Sequence, residues 1–410
     1  MLVRCQHNTV TVTGPGSVWN SSSGPALFVG EFGSGNALNI TNGARVYNGQ
    51  GLMGYETNAH ANSITVIGSG SVWSNHYEMY IGFSGFSNAL IIAKSGTVYS
   101  TSCQIGWLTG GSNNTVTVTD PGSVWNNSGN LSVGCHGTYS LLTITNSGTV
   151  FASNVTVGVF SSSTGNVLAV VGGNLVVTNG AGDGTLDIRR GTLSFNGGTI
   201  IADRFFATNG VMSALAFNGG ILSVQSGTVS NGSPFILGDG SQSATLNIRG
   251  GTLLLMNGLT NNGVLRASNG AVLESYGPVV NNGVIDVIYG NTNFHSTFIN
   301  NGIVLTAEGD PDGDGMSNLQ ESLAGTIVTN SLSCLRITSM AREGDDVRIT
   351  WTAVGGKSYV VQTNSVPGSG FADFSSVIYV PGVGESVTNY VHTGGATNAA
   401  ALFYRVRLGP

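Results

Sequence analysis

"NTVTVTDPGSVWNN" occupies residues 114–127 and is almost a copy of "NTVTVTGPGSVWNS" at 8–21. A looser copy, "NSITVIGSGSVWSN", fills 62–75. Units of a second kind lie between these copies. An opening Asn recurs at Asn8, Asn36, Asn62, Asn88, Asn114 and Asn166, with Ser140 in the same column. A closing pair recurs as Val18-Trp19, Val46-Tyr47, Val72-Trp73, Val98-Tyr99, Val124-Trp125 and Val150-Phe151. Both columns step by 28 residues once and then by 26. A Gly column (Gly30, Gly54, Gly82, Gly106, Gly134, Gly158) alternates steps of 24 and 28. Trp units therefore alternate with Tyr or Phe units, and the full period is about 52 residues.

Periods in the twenties imply stacked repeats. Each unit holds short runs of period two, such as "TVTVT", "GTVYS" and "LSVG", broken by Gly, Ser, Asn or Pro. These are strands and tight turns. A single unit is too small to bury its own apolar face. Stacked units pair each strand with its equivalents above and below, about 4.8 Å apart. The reading is an all-β protein built on a right-handed parallel β-solenoid over residues 1–305, the hand following the crossover rule. A second set, "TLDIRRGTLSFNGG", "ALAFNGGILSVQSG" and "TLNIRGGTLLLMNG", recurs roughly 30 residues apart. The "NNG" units led by Asn261, Asn281 and Asn300 then shorten the coil to 20 and 19 residues. A dozen such coils predict a monomeric rod about 60 Å long.

Composition agrees. The chain has 410 residues, 63 of them Gly, and only 8% are charged, against roughly 25% in an ordinary domain. With 40% hydrophobic residues a core can still form. The net charge is −6 and the basic residues are scattered, which excludes a nucleic-acid footprint. No run approaches the ~20 apolar residues of a membrane-spanning helix. The four cysteines (Cys5, Cys103, Cys135, Cys334) lack metal spacing. Cys103 and Cys135 are one repeat apart and read as buried thiols, with a disulfide between coils the alternative. The first unit opens at Asn8 without a cap, which predicts further coils and a signal peptide upstream.

The columns read as structural. Asn tolerates the left-handed conformation of tight turns and can bond along the stack. The uniform Val column is placed inside, which turns Trp19, Tyr47, Trp73, Tyr99, Trp125 and Phe151 outward as a covered aromatic stack or a stripe for sugar rings. The densest charge, Asp183, Asp187, Arg189, Arg190, Asp203 and Arg204, is the enzyme candidate. Arg249, read as the equivalent of Arg189, favours local ion pairs over catalysis, and no catalytic residue is assigned.

"DPDGDGMSNLQE", residues 310–321, has the spacing of a twelve-residue calcium loop. Asp310, Asp312 and Asp314 take positions 1, 3 and 5, and Gly315 the sharp turn at 6. Met316 offers its carbonyl at 7, Asn318 stands at 9, and Glu321 is the bidentate residue at 12. The flanks predict a strand before the loop and a short helix after it, ended by Gly325. Residues 306–333 form this loop and its linker. From 334 to 410 six strand-like runs predict a small β-sandwich.

The "TVTVTxPGSVW", "NALxIxxSGTVY" and "NNGxV" units resemble the β-strand repeats of bacterial autotransporter-type surface proteins. The loop resembles the single calcium motif of thrombospondin type 3 repeats and dockerins. "VRITWTAVGGKSYVVQ" resembles a fibronectin type III core. These resemblances imply an exported, extracellular or cell-surface structural or adhesive protein that binds Ca2+, with extracellular glycans or cell-surface components as partners. The rival classes are a polysaccharide-active β-helix enzyme and a glycan-binding rod using the aromatic stripe.

Overall fold

In a computed structural model, which describes residues 6–366, 370–397 and 401–410, the sequence columns become ladders of strands. Residues 1–5, with Cys5, and the expected turn at Pro367-Gly368 lie outside the described residues. The chain divides into two compact units, Met1–Val304 and Leu305–Pro410.

The first unit is a parallel β-solenoid with three strand ladders. Thr9–Thr13, Ala37–Thr41, Ser63–Ile67, Ala89–Ala93, Thr115–Val118 and Leu141–Thr145 pair in sequence, all parallel. The second ladder contains Val72–Asn75, Thr97–Ser100, Val124–Asn127 and Thr149–Ala152. The third contains Met79–Ile81, Cys103–Ile105, Asn130–Val133 and Asn154–Val157. Alternate residues of each strand point inward and fuse into one core, for example Leu38, Ile64, Leu90, Val116 and Leu142 of the first ladder.

The Asn and Gly columns are one device. Asn8 donates its side-chain amide to Asn36 Oδ1, Asn36 to Asn62, Asn62 to Asn88 and Asn88 to Asn114, each at 3.0 Å. The backbone N–H of Asn36, Asn62 and Asn88 also donates to the next amide oxygen, at 2.9, 3.0 and 2.9 Å. The Gly column makes room for this ladder. A Cβ at Gly82 would lie 2.0 Å from Asn114 Nδ2, and one at Gly30 2.2 Å from Asn62 Nδ2. The expected left-handed turn falls one residue earlier than the ladder, at His7, Ala61, Ser87, Asn113 and Tyr139. The ladder asparagines stand outside the left-handed region, each one residue ahead of a strand.

The uniform inward Val column is overturned. Trp73 and Trp125 are fully buried, as are Val98 and Val150, while Val18, Tyr99 and Phe151 are exposed. The cause is the arch between the first and second strands. It has four residues in Trp units (14–17, 68–71) and three in Tyr units (42–44, 94–96), as the turn bonds Ser17 N–H to Gly14 O and Ala44 N–H to Thr41 O show. One extra residue slips the pairing by one, and a slip of one exchanges the inner and outer faces of a strand. Trp19 therefore pairs with Val46, Val46 with Trp73, Trp73 with Val98, and Trp125 with Val98 and Val150. Trp73 donates its indole N–H to Asn48 Oδ1 at 2.7 Å, and Trp125 to Ser100 Oγ at 3.1 Å. The 52-residue period is thus a bulky donor in one coil stacked on a polar acceptor in the coil before it.

The set spaced by roughly 30 residues is also not one column. Thr199 pairs with Ile221, and Ile221 with Thr245, so the coil there is 22 to 24 residues. The three similar stretches sit on successive corners, one coil plus one face apart. Arg189 follows a third-ladder strand and Arg249 a second-ladder strand, so the two are not equivalent. Cys103 and Cys135 are buried free thiols. Cys103 pairs with Leu131 and Met79, not with Cys135.

In the second unit, Ile337–Glu343, Asp346–Val354 and Glu385–His392 form one antiparallel sheet. Ser358–Asn364 pairs antiparallel with Phe403–Leu408, Ala372–Asp373 and Ile378–Tyr379 in another. Ile349, Trp351, Tyr359 and Val361 share one buried core, so Trp351 is a packing residue.

Candidate metal centre

The calcium-type loop leaves the strand Ile303–Thr306 and enters the helix Asn318–Ala324, as its flanks predicted. Ser317 caps that helix in a capping box with Gln320, and Gly325 closes it at φ 80°. Short side chains fold the loop on itself. Asp310 accepts the N–H groups of Gly313 and Gly315 at 2.9 and 3.0 Å. Asp314 Oδ1 accepts from Met316 N–H at 2.7 Å, and Gly315 takes φ 94° as position 6 requires.

Asp310 uses both of its oxygens in this way, whereas Asp312 and Asp314 each use Oδ1 and leave Oδ2 unpaired. Asp312 Oδ2, Asp314 Oδ2, Asn318 Oδ1 and Glu321 Oε2 are all buried without a hydrogen-bond partner. Buried polar atoms are paired in the great majority of cases, and each exception requires an explanation. A bound cation would give four such oxygens within ten residues a common explanation. Asp310, Asp312 and Asp314 each bring a carboxylate oxygen within 4.8 Å of the others. Asn318 and Glu321 are fully buried. Asn318 donates its amide nitrogen to Thr306 O at 2.8 Å, which fixes its oxygen.

Electrostatics agree with the geometry. Burial, and then the charges of Asp312 and Asp314, push the Glu321 carboxyl up to about 7. Burial likewise raises Asp312, whereas the Gly315 N–H holds Asp310 below the usual range. The loop therefore gathers crowded, partly desolvated carboxyl groups whose charge a divalent cation would neutralise. The donor set is oxygen alone, the hard chemistry of calcium.

Two features escaped the sequence. Thr326 Oγ1 lies 3.5 Å from Glu321 Oε1, a long contact just past the Gly325 cap. Cys334 is buried beside Asp314, and burial raises its thiol. Neither occupies a position that the twelve-residue spacing specifies.

The other candidates are internally engaged. Asp187 pairs with Arg189 at 2.6 Å, and Asp183 with Arg204 at 4.0 Å. Buried Asp203 accepts from Gly184 N–H at 2.9 Å and Gln225 Nε2 at 3.2 Å. The expected stripe is divided, since Trp73 and Trp125 are interior. A different aromatic row lies outside, Phe28, Tyr55, Phe83, Tyr80 and Trp107, with successive ring centroids 4.8 to 5.8 Å apart. These rings pack on one another.

The fold defines a parallel β-solenoid protein with two small antiparallel sheets, and residues 310–321 form an acidic loop with buried, unpartnered oxygens. No family model matches the chain, and no curated protein or solved structure matches it either.

Proposed function

We propose that this chain is an exported bacterial protein of the cell surface or extracellular space, a structural or adhesive β-solenoid that holds one Ca2+ in the loop 310–321. The observation that carries the calcium reading is the set of four buried, unpartnered oxygens on Asp312, Asp314, Asn318 and Glu321. Asp310 and the Met316 carbonyl complete the ligands by position. Extracellular calcium modules bind at about 10⁻⁴–10⁻³ M, so such a site fills outside the cell and stays empty in the cytosol. Extracellular glycans or cell-surface components are the partner class.

Titration calorimetry of the full chain with calcium tests the site. One ion per chain is expected at millimolar calcium. Glu321→Gln is expected to lose most of the affinity and Asn318→Ala less, because position 9 often binds through water. No calcium-dependent heat, or equal affinity for Glu321→Gln, would reject the reading. Binding of the chain to arrayed glycans and to whole cells at millimolar calcium tests adhesion, and no retention on either would leave a structural role alone.

A further inference from the structure

The calcium loop does not stand alone inside the C-terminal unit. The segment 326–335 touches the loop on one side and the sheets on the other. On the loop side, the Thr326 hydroxyl lies 3.5 Å from Glu321 Oε1. Met316, whose carbonyl takes position 7, receives the Leu335 N–H on its sulfur at 3.2 Å. On the sheet side, the Ser333 hydroxyl accepts the Ile327 N–H at 2.8 Å and donates to the Glu385 carboxylate. Thr352 donates its hydroxyl to the Cys334 carbonyl, and Lys357 Nζ donates to Leu323 O at the end of the helix at 2.7 Å. Leu335 then packs on the core of Ile349, Trp351 and Tyr359.

We propose that this segment is a brace through which calcium occupancy of the loop controls the opening of the C-terminal sheets. The proposal rests on the calcium reading above and extends it from binding to regulation. The physical ground is linkage. A ligand that binds only the closed form stabilises everything that must open with its site. Glu321 and Met316 are calcium ligands by position, and both contact the brace. Strand Asp346–Val354 carries Thr352 and Trp351 and receives the brace at Cys334 and Leu335. Opening that strand would pull the segment away from the loop. The neighbouring strand Glu385–His392 holds the brace at Ser333.

Hydrogen exchange of the full chain, with saturating calcium and with chelator, tests the coupling. At a hundredfold excess over Kd, amides of Asp346–Val354 are expected to exchange about 100-fold more slowly than without calcium, the factor 1 + [L]/Kd. Glu385 is exposed, so Glu385→Ala should fold. In that variant the loop is expected to keep its calcium protection while the strand's calcium response falls below about tenfold. Calorimetric binding with unchanged exchange in Asp346–Val354 would overturn the brace and leave the site standing. No binding heat would overturn the site itself. An undiminished strand response in Glu385→Ala would overturn the route through Ser333.

Discussion

Glu321 and Gly82 show how single residues divide between function and fold. Glu321 is buried with its carboxyl pushed up to about 7, an unfavourable place for a charge without a counter-ion. Removing that charge should help the metal-free protein and harm the calcium form. Glu321→Gln is therefore expected to raise stability in chelator by about 1 kcal/mol and to abolish most of the gain from calcium, read by chemical denaturation. A loss of stability in chelator would mean that Glu321 is a packing residue. Gly82 answers to the ladder instead. At φ 74° its Cβ would strike the Asn114 amide, whereas Gly240, at φ 82°, faces open space. Gly240→Ala is expected to cost about 1–2 kcal/mol for the left-handed backbone alone. Gly82→Ala should cost clearly more, because Asn114 must also leave its bonds. Equal costs in thermal melts would remove the ladder as the reason for the Gly column.

At the scale of the coil, the structural unit is the pair. Trp73 needs the small Val46 and Val98 as neighbours and Asn48 as acceptor, and Trp125 likewise needs Val98 and Ser100. Repeat arrays tolerate removal of whole units because each contacts only its neighbours. Deleting residues 62–113, one Trp unit and one Tyr unit, is expected to preserve a cooperative melt, since Trp125 would then lie over Val46 and Asn48. Deleting 88–113 alone would put Trp73 against Trp125 and remove Ser100, the acceptor of the Trp125 indole. The single deletion is expected to melt lower by circular dichroism. Equal melting would show that the alternation is incidental. The coil and its ladders were legible in the sequence because each leaves a periodic spacing, and the strand and helix that flank residues 310–321 were legible from the fixed spacing between them. The inward Trp was less legible, since Asn-to-Val spacing is ten residues in both unit types. What differs is how the arch divides those residues, four in "GPGS" and three in "NGA", and the cue is the Gly-Ser that ends "GPGS", "GSGS" and "DPGS" just before Val-Trp. The corner-shifted set misled because the same strand–arch–strand pattern serves all three corners. Ser333 and Glu385 were not legible at all, since they are 52 residues apart and share no pattern.

At the scale of the molecule, two units answer to different forces. The solenoid is held by parallel ladders, a continuous apolar core and stacked amides, none of which involves a cation. The C-terminal unit has a small core and a loop whose buried oxygens lack partners. Scanning calorimetry is expected to show calcium raising the transition of the C-terminal unit and leaving that of the solenoid in place; a common shift would argue against this division. The most direct measurement is a crystal structure grown with calcium and read by anomalous scattering. A single peak is expected in the loop 310–321, with Asp310, Asp312, Asp314, the Met316 carbonyl and both oxygens of Glu321 at about 2.3–2.6 Å, and position 9 reached through Asn318 or water. Water in the loop at millimolar calcium, with no anomalous peak, would contradict the account.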